Sequence, residues 1–218
     1  MKSLEVKITT ADDIEVTGTY IPGSLPIGVV LLHMMPAAKE SYAKFAERLS
    51  EMGLHTLAID LRGHGQSGGG NYQNFTNEQH QKSILDVKAA VDYLHKQNPG
   101  LRIGFVGASI GSSLAIQYAA ANPVAFLVLL SAGLNYKGIE TGRMVVVFPE
   151  DLPVCFVSAL DDERVEGNAA QTETLYNAAS TTNKTIQILR EGGHGTEIIE
   201  YKPEFESLLS WIKEVCEI

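Results

Sequence analysis

Cysteine, an excess of positive charge and long hydrophobic runs are what this sequence lacks. Its two cysteines, Cys155 and Cys216, are too few for a disulfide framework, and no CxxC pair suggests a zinc or redox site. The 17 Lys and Arg residues against 26 Asp and Glu give a formal charge of −9, which disfavours nucleic acid and anionic membranes as partners. No apolar stretch approaches the roughly 20 residues of a membrane span, and the first residues lack the apolar run of a signal peptide. We therefore expect a soluble, cytoplasmic protein.

Short apolar runs recur along the chain and predict the strands of a sheet. They cover residues 28–32, 54–59, 103–106, 125–130 and 154–159, with a weaker run at 185–189. Continuous runs of this length are typical of parallel strands buried on both faces. Near the N-terminus, apolar residues instead alternate with polar ones around residues 11–13, which predicts an antiparallel hairpin at the sheet edge.

Helical spacing of apolar residues appears between these runs, in residues 38–52, in residues 77–96 and after Pro203. We expect His80 and His95, both in the second of these segments, to be solvated. Because strand and helix alternate throughout, the sequence predicts a single α/β domain over residues 1–218 with a mostly parallel sheet. Residues 131–153 leave too little chain for a large cap domain.

The pattern G-x-S-x-G occurs twice, and its context distinguishes the two copies. Gly107-Ala108-Ser109-Ile110-Gly111 follows an apolar run and precedes a segment compatible with a helix. A strand, a sharp turn and a helix form the nucleophile elbow, in which small neighbours allow the strand and helix to approach closely. The second copy, which contains Ser67, runs into Gly70-Asn71-Tyr72 without a helix. Ser109 is therefore the candidate nucleophile, the alternative being a tight turn without chemistry.

A serine nucleophile needs a base and an orienting acid. His194 is the only histidine after Ser109, and it lies between the last strand and the last helix in a glycine-rich loop. The order Ser, acid, His therefore makes His194 the candidate base. The acid should follow the strand at 154–159, where Asp161 and Asp162 are both placed to reach the imidazole.

Taken together, these motifs resemble the α/β-hydrolase superfamily, in particular its small, lidless, esterase-like members near dienelactone hydrolases, cinnamoyl esterases and monoacylglycerol lipases. The resemblance covers about residues 25–215 and adds two markers, His33-Met34-Met35-Pro36 and the segment Asp60 to Ser67. It implies a three-layer α/β-hydrolase fold of about eight strands, an antiparallel edge hairpin and no large cap. In such families the acid lies three residues before a valine, which favours Asp162, three residues before Val165, over Asp161.

The same resemblance implies an oxyanion hole formed by the backbone N–H groups of Ile110 and Met35. The family usually has glycine where this chain has Met34. Met34 could instead line a substrate pocket, with plain core packing as the alternative, and the apolar segment containing Met144 could shield one edge of the site.

The sequence thus predicts a serine hydrolase of the carboxylesterase type that acts on a small or medium soluble ester. It needs no cofactor, and no histidine spacing indicates a catalytic metal. Two alternatives stay open: a thioesterase or small peptidase with the same residues, and a non-catalytic hydrolase-fold protein that binds a ligand.

Overall fold

The computed structural model describes residues 2–218, in which ten strands and six α-helices occur. The strands are β1 (Leu4–Thr9), β2 (Glu15–Ile21), β3 (Ile27–Leu32), β4 (His55–Ile59), β5 (Arg102–Ala108), β6 (Leu127–Leu130), β7 (Asn135–Tyr136), β8 (Ile139–Glu140), β9 (Val154–Ala159) and β10 (Lys184–Leu189). The helices are α1 (Ala43–Glu51), α2 (Asn77–Gln81), α3 (Ile84–Gln97), α4 (Ile110–Ala119), α5 (Asn168–Ala178) and α6 (Lys202–Cys216). Short 3₁₀ helices cover Lys39–Tyr42, Tyr72–Asn74, Thr141–Arg143, Val145–Val147 and Gly195–Glu200.

Eight strands form one sheet in the order β1-β2-β4-β3-β5-β6-β9-β10. Strand β2 runs antiparallel to β1 and β4, and all the other neighbours are parallel. Every residue of β3, β4, β6 and β9 is buried, which explains why these strands are mostly apolar in the sequence. The predicted α/β-hydrolase fold, with its antiparallel hairpin at one edge, is confirmed.

Helices cover both faces of this sheet, so the molecule has three layers. Leu94 of α3, Leu114 of α4 and Leu175 of α5 belong to one buried cluster, together with Val30 and Leu32 of β3. Phe45 of α1 and Ile212 of α6 belong to a second cluster on the other face. Residues 131–153, between β6 and β9, hold only the β7–β8 ribbon and two 3₁₀ turns, so this connection carries no cap domain. Across residues 2–218, no helix combines the length and the apolar character that crossing a bilayer requires.

The helix predicted over residues 77–96 is in fact two helices, broken at Lys82 and Ser83. The N–H groups of Leu85 and Asp86 bond to the carbonyls of these two residues, which tightens the chain locally into a turn. The expectation that His80 is solvated is wrong. Its ring is buried and lies edge-on to Phe75, with 5.4 Å between the ring centres.

The break also allows a buried ion pair to fix the loop that follows β4. Asp86 is fully buried and accepts hydrogen bonds from the backbone N–H of Arg62 at 2.8 Å and from its Nε at 2.9 Å. The guanidinium also contacts Asp12. This hydrogen bond lowers the pKa of the Asp12 carboxyl, although burial acts in the opposite direction. A charge paired and hydrogen-bonded in this way is costly to leave alone, so the loop is held to both α3 and the β1–β2 turn.

Candidate active site

Ser109 occupies the sharp turn between β5 and α4. Its backbone has φ 53° and ψ −112°, a conformation that residues other than glycine rarely adopt. A Cβ atom added to Gly107 would overlap the backbone of Gly111, and one added to Gly111 would overlap the backbone of Leu32. The two glycines of the motif are therefore needed for the close approach of strand and helix.

Ser109 and His194 line the same cavity, although 85 residues separate them in the chain. The cavity has a volume of about 70 Å³. The residues around it are Ser109, Ser131, Gly133, Asn135, Tyr136, Val165, Asn168, Gln171 and His194. His194 is 3% exposed and Ser109 is 7% exposed, so both side chains are largely shielded from bulk water.

Asp162 contacts the imidazole of His194. Its Oδ2 lies 2.6 Å from His194 Nδ1, and both side chains are almost fully buried. Its other oxygen accepts hydrogen bonds from the backbone N–H groups of Arg164 and Val165, at 3.0 and 3.1 Å. A carboxylate held in this way makes Nδ1 the donor and leaves Nε2 of a neutral ring as an acceptor.

Asp161 takes a different position from its neighbour. Its carboxylate accepts from the backbone N–H groups of Gly192 and Gly193, each at 3.0 Å. The structure thus brings Asp162, the aspartate that the resemblance favoured, to the imidazole and Asp161 to the backbone of the same loop.

Two further side chains hold this loop, and sequence reasoning missed both. Glu197 Oε2 accepts from the backbone N–H of His194 at 2.7 Å, and Ser131 Oγ accepts from that of Gly195 at 2.8 Å. With Asp161, these residues occupy four consecutive backbone donors, from Gly192 to Gly195. We call Asp161, Glu197 and Ser131 the loop clamp.

Arg164 ties the clamp to the loop that carries Asp162. Its Nη2 lies 2.7 Å from Glu197 Oε1. Burial opposes the ionisation of Glu197, but the hydrogen bonds from the His194 amide and from Arg164 outweigh it and lower the pKa of this carboxyl. The loop after β9 is thereby joined to the loop after β10 at two places, by the contact of Asp162 with His194 and by the ion pair of Arg164 with Glu197.

Ser131 stands out within the clamp because its backbone is strained. It directly follows β6, is buried, and has φ 50°, a value that favours glycine. The sequence could have indicated a role for Ser131, because this residue directly follows an apolar run that predicts a parallel strand. Glu197 offered another signal, since it stands three residues after His194 at capping-box spacing.

The loop after β3, expected to supply Met35 to an oxyanion hole, is held by His33. His33 Nε2 accepts from the backbone N–H of Leu61 at 3.0 Å, so Nδ1 carries the hydrogen and donates to the Met34 carbonyl at 2.8 Å. Burial lowers the pKa of His33 to about 4, so the ring is neutral near pH 7. Ile110 is the first residue of α4, and its N–H therefore has no acceptor within that helix.

The two methionines named as pocket residues lie elsewhere. Met34 is buried in the core and packs against the position of Gly195, and Met144 packs against the core cluster on the α4 side. Neither is among the residues that line the cavity.

Ser67, of the second G-x-S-x-G, has a structural position: its Oγ donates to the Asp60 carbonyl at 2.7 Å and accepts from the Thr17 N–H at 2.8 Å. Among residues 2–218, no three His, Cys, Asp or Glu side chains are grouped so as to hold a metal ion.

Comparison with known proteins places the chain among hydrolases. A family model described as serine aminopeptidase, S33, matches residues 27–148. The esterase Pf2001 of Pyrococcus furiosus has a TM-score of 0.82 at 23% identity, over 98% of this chain and 92% of that one. The esterase EaEST of Exiguobacterium antarcticum has a TM-score of 0.76 at 15% identity, over 96% and 100%. An uncharacterized protein of Mycobacterium tuberculosis is 23% identical over 97% of this chain and 80% of its own length.

Acid is expected to destabilise the fold through His33. The pKa of about 4 in the folded protein lies below the ordinary value of about 6.5, so between these values the unfolded chain binds a proton that folded His33 does not. Stability is therefore full above about pH 6.5 and falls as the pH drops towards 4, by up to about 3 kcal/mol from this residue. Urea unfolding at pH 7.5, 6 and 5 measures this loss together with that of His80, whose pKa burial also lowers to about 4. An NMR titration in which the His33 ring of the folded protein protonates near pH 6.5 would contradict the explanation.

Replacing Ser131 with glycine should loosen the loop without destabilising the protein. Glycine relieves the strain at φ 50° but removes the acceptor of the Gly195 N–H. We expect hydrogen exchange at the Gly195 amide to accelerate about fivefold, since one hydrogen bond is worth about 1 kcal/mol, while Tm stays level or rises. Ser180→Ala is the control, because the Ser180 hydroxyl bonds to Phe148 away from this loop. Unchanged exchange in Ser131→Gly would show that Ser131 does not hold the loop.

Proposed function

This chain belongs to the serine aminopeptidase (S33) family of α/β hydrolases, and we propose that it is a serine hydrolase that cleaves carboxylic esters of small soluble substrates. The observation that carries the proposal is the convergence of Ser109 and His194 on one cavity, with Asp162 hydrogen-bonded to Nδ1 of the imidazole. This arrangement provides a nucleophile, a base and an acid that orients the base.

In the proposed reaction, the Ser109 hydroxyl attacks the ester carbonyl while His194 Nε2 takes its proton. The tetrahedral intermediate carries its negative charge on oxygen, next to the N–H groups of Ile110 and Met35. Breaking the ester C–O bond releases the alcohol, which takes the proton back from Nε2 and leaves an acyl-enzyme. Water then attacks the acyl carbon with the help of the same base, and the acid leaves as Ser109 recovers its proton. Asp162 stabilises the imidazolium in both halves of the reaction.

The neutral His33 ring supports this chemistry by holding the loop after β3, which contains Met35. Because it donates to the Met34 carbonyl and accepts from Leu61, it fixes the peptide that precedes Met35. A donor fixed in advance needs no reorganisation when charge develops, which is the main advantage of an oxyanion hole.

A peptidase is the second candidate, because the family model is described as a serine aminopeptidase. An aminopeptidase must bind a free α-ammonium group, for which a carboxylate is the usual partner. The residues that line the cavity supply amides and hydroxyls, and none of them is Asp or Glu. The lining therefore favours an ester over an amino-terminal peptide.

Ser109→Ala is expected to lower kcat for p-nitrophenyl acetate by about 10⁴-fold or more, with the fold intact by circular dichroism. A fluorophosphonate should label the native protein, and peptide mass spectrometry should find the adduct on Ser109. Ser67→Ala is the matched control, since it removes the serine of the other G-x-S-x-G and should keep the adduct. Undiminished hydrolysis by Ser109→Ala would refute the assignment, whereas a native protein that neither reacts nor hydrolyses esters would favour the ligand-binding alternative.

A further inference from the structure

Four side-chain oxygens of the cavity lining already accept hydrogen bonds inside the protein. Gln171 Oε1 accepts from the Leu134 N–H at 3.1 Å, and Asn135 Oδ1 accepts from the Gly138 N–H at 3.1 Å. Asn168 Oδ1 accepts from the Ser158 hydroxyl at 2.6 Å, and Ser131 Oγ accepts from the Gly195 N–H. Because a backbone N–H can bond only to oxygen here, these contacts fix which atom of the Gln171 and Asn135 amides is the nitrogen.

The lining also contains hydrogen-bond donors that no protein acceptor uses. Gln171 and Tyr136 line the cavity, and within residues 2–218 neither the Gln171 Nε2 nor the Tyr136 hydroxyl bonds to a protein acceptor. Both side chains are half-buried; Tyr136 belongs to β7, in the connection after β6, and Gln171 belongs to α5. Donors left without an acceptor favour a ligand that supplies one.

The volume and charge of the cavity further limit which ligands can bind there. A volume of about 70 Å³ is far below the roughly 300–1,000 Å³ of pockets for drug-sized ligands, so only a few heavy atoms fit. The lining contains no Lys or Arg, and the chain carries a formal charge of −9, which disfavours an anionic group.

We propose that this cavity selects an ester with a short, uncharged group that carries an oxygen acceptor, such as an ether or keto oxygen, bound by Gln171 Nε2 and the Tyr136 hydroxyl. The proposal rests on the proposed esterase function and specifies its substrate class. The acceptor-bearing group belongs either to the acyl part or to the alcohol part of the ester.

Two pairs of esters that exchange one CH₂ for oxygen test the proposal. Ethyl methoxyacetate with ethyl butyrate varies the acyl part, and 2-methoxyethyl acetate with butyl acetate varies the alcohol part. For each pair, the selectivity is the ratio of kcat/KM for the oxygen-bearing ester to that for its hydrocarbon partner. Comparing this ratio between variants cancels the intrinsic reactivity of the esters, and the pair that responds identifies which part occupies the cavity.

Tyr136→Phe and Gln171→Glu are the informative variants. The first removes only the hydroxyl, and the second keeps an oxygen for the Leu134 N–H while it replaces the donor with an acceptor. We expect each to lower the selectivity of one pair by roughly three- to tenfold, the worth of one hydrogen bond. Tyr118→Phe makes the same change on α4, where the ring packs on Phe105, and should leave the ratio unchanged. Ratios within twofold of the native protein for both variants and both pairs would overturn the proposal.

A measurement without turnover separates this proposal from the proposed function. In the Ser109→Ala protein, methyl methoxyacetate and 2-methoxyethyl acetate are titrated against the side-chain NH₂ signals of Gln171 by NMR, with methyl butyrate and butyl acetate as controls. A shift caused by an ether-bearing ester and not by its hydrocarbon control supports the subsite even if the native protein hydrolyses no ester. The absence of a selective shift would overturn the subsite while the esterase proposal stands on its own test.

Discussion

The attachment of the His194 loop to the loop after β9 is the constraint on which the rest of the site depends. Gly193 and Gly195 both have positive φ, so the loop by itself has many accessible conformations. Ordering its backbone costs about 1–2 kcal/mol per residue, and hydrogen bonds to charged groups return about 1.5–3 kcal/mol each. Carboxylates of Asp161 and Glu197 hold three of the four backbone donors from Gly192 to Gly195, so the clamp is of the right size to offset the cost. Asp162 then needs only to orient a ring whose backbone is already fixed.

The parallel sheet explains why these groups meet. Strands β5, β6, β9 and β10 are neighbours that run in the same direction, and their carboxyl ends lie at one edge. Ser109 follows β5, Ser131 follows β6, the aspartates follow β9 and His194 follows β10. The strand order therefore brings the residues of the loop clamp together at the carboxyl ends of these strands. The glycines of the elbow allow Ser109 to lie at the same end of the sheet.

Much of the architecture could be predicted from the sequence, because burial leaves a direct trace in it. Strands buried on both faces are mostly apolar, so five runs marked the inner strands β3, β4, β5, β6 and β9 within a few residues, and a sixth, weaker run marked the edge strand β10. The choice of Asp162 over Asp161 rested on the family resemblance alone, since both residues follow β9 and only the direction of each side chain distinguishes them. The break at Lys82 and the burial of His80 were missed for a related reason: tertiary contacts of Asp86 and Phe75 override a continuous helical pattern. Tyr136 and Gln171 left no signal, because ordinary polar residues become informative only when their partners are known.

The most direct measurement compares kcat of Asp162→Asn and Asp161→Asn with the same ester. Asparagine at 162 keeps the shape but does not stabilise an imidazolium, and our account predicts a loss of about 10⁴-fold. Asparagine at 161 still offers an oxygen to the Gly192 and Gly193 amides, and the predicted loss is below about tenfold. If Asp161→Asn lost as much activity as Asp162→Asn, or more, the assignment of the two carboxylates and the account built on it would be contradicted.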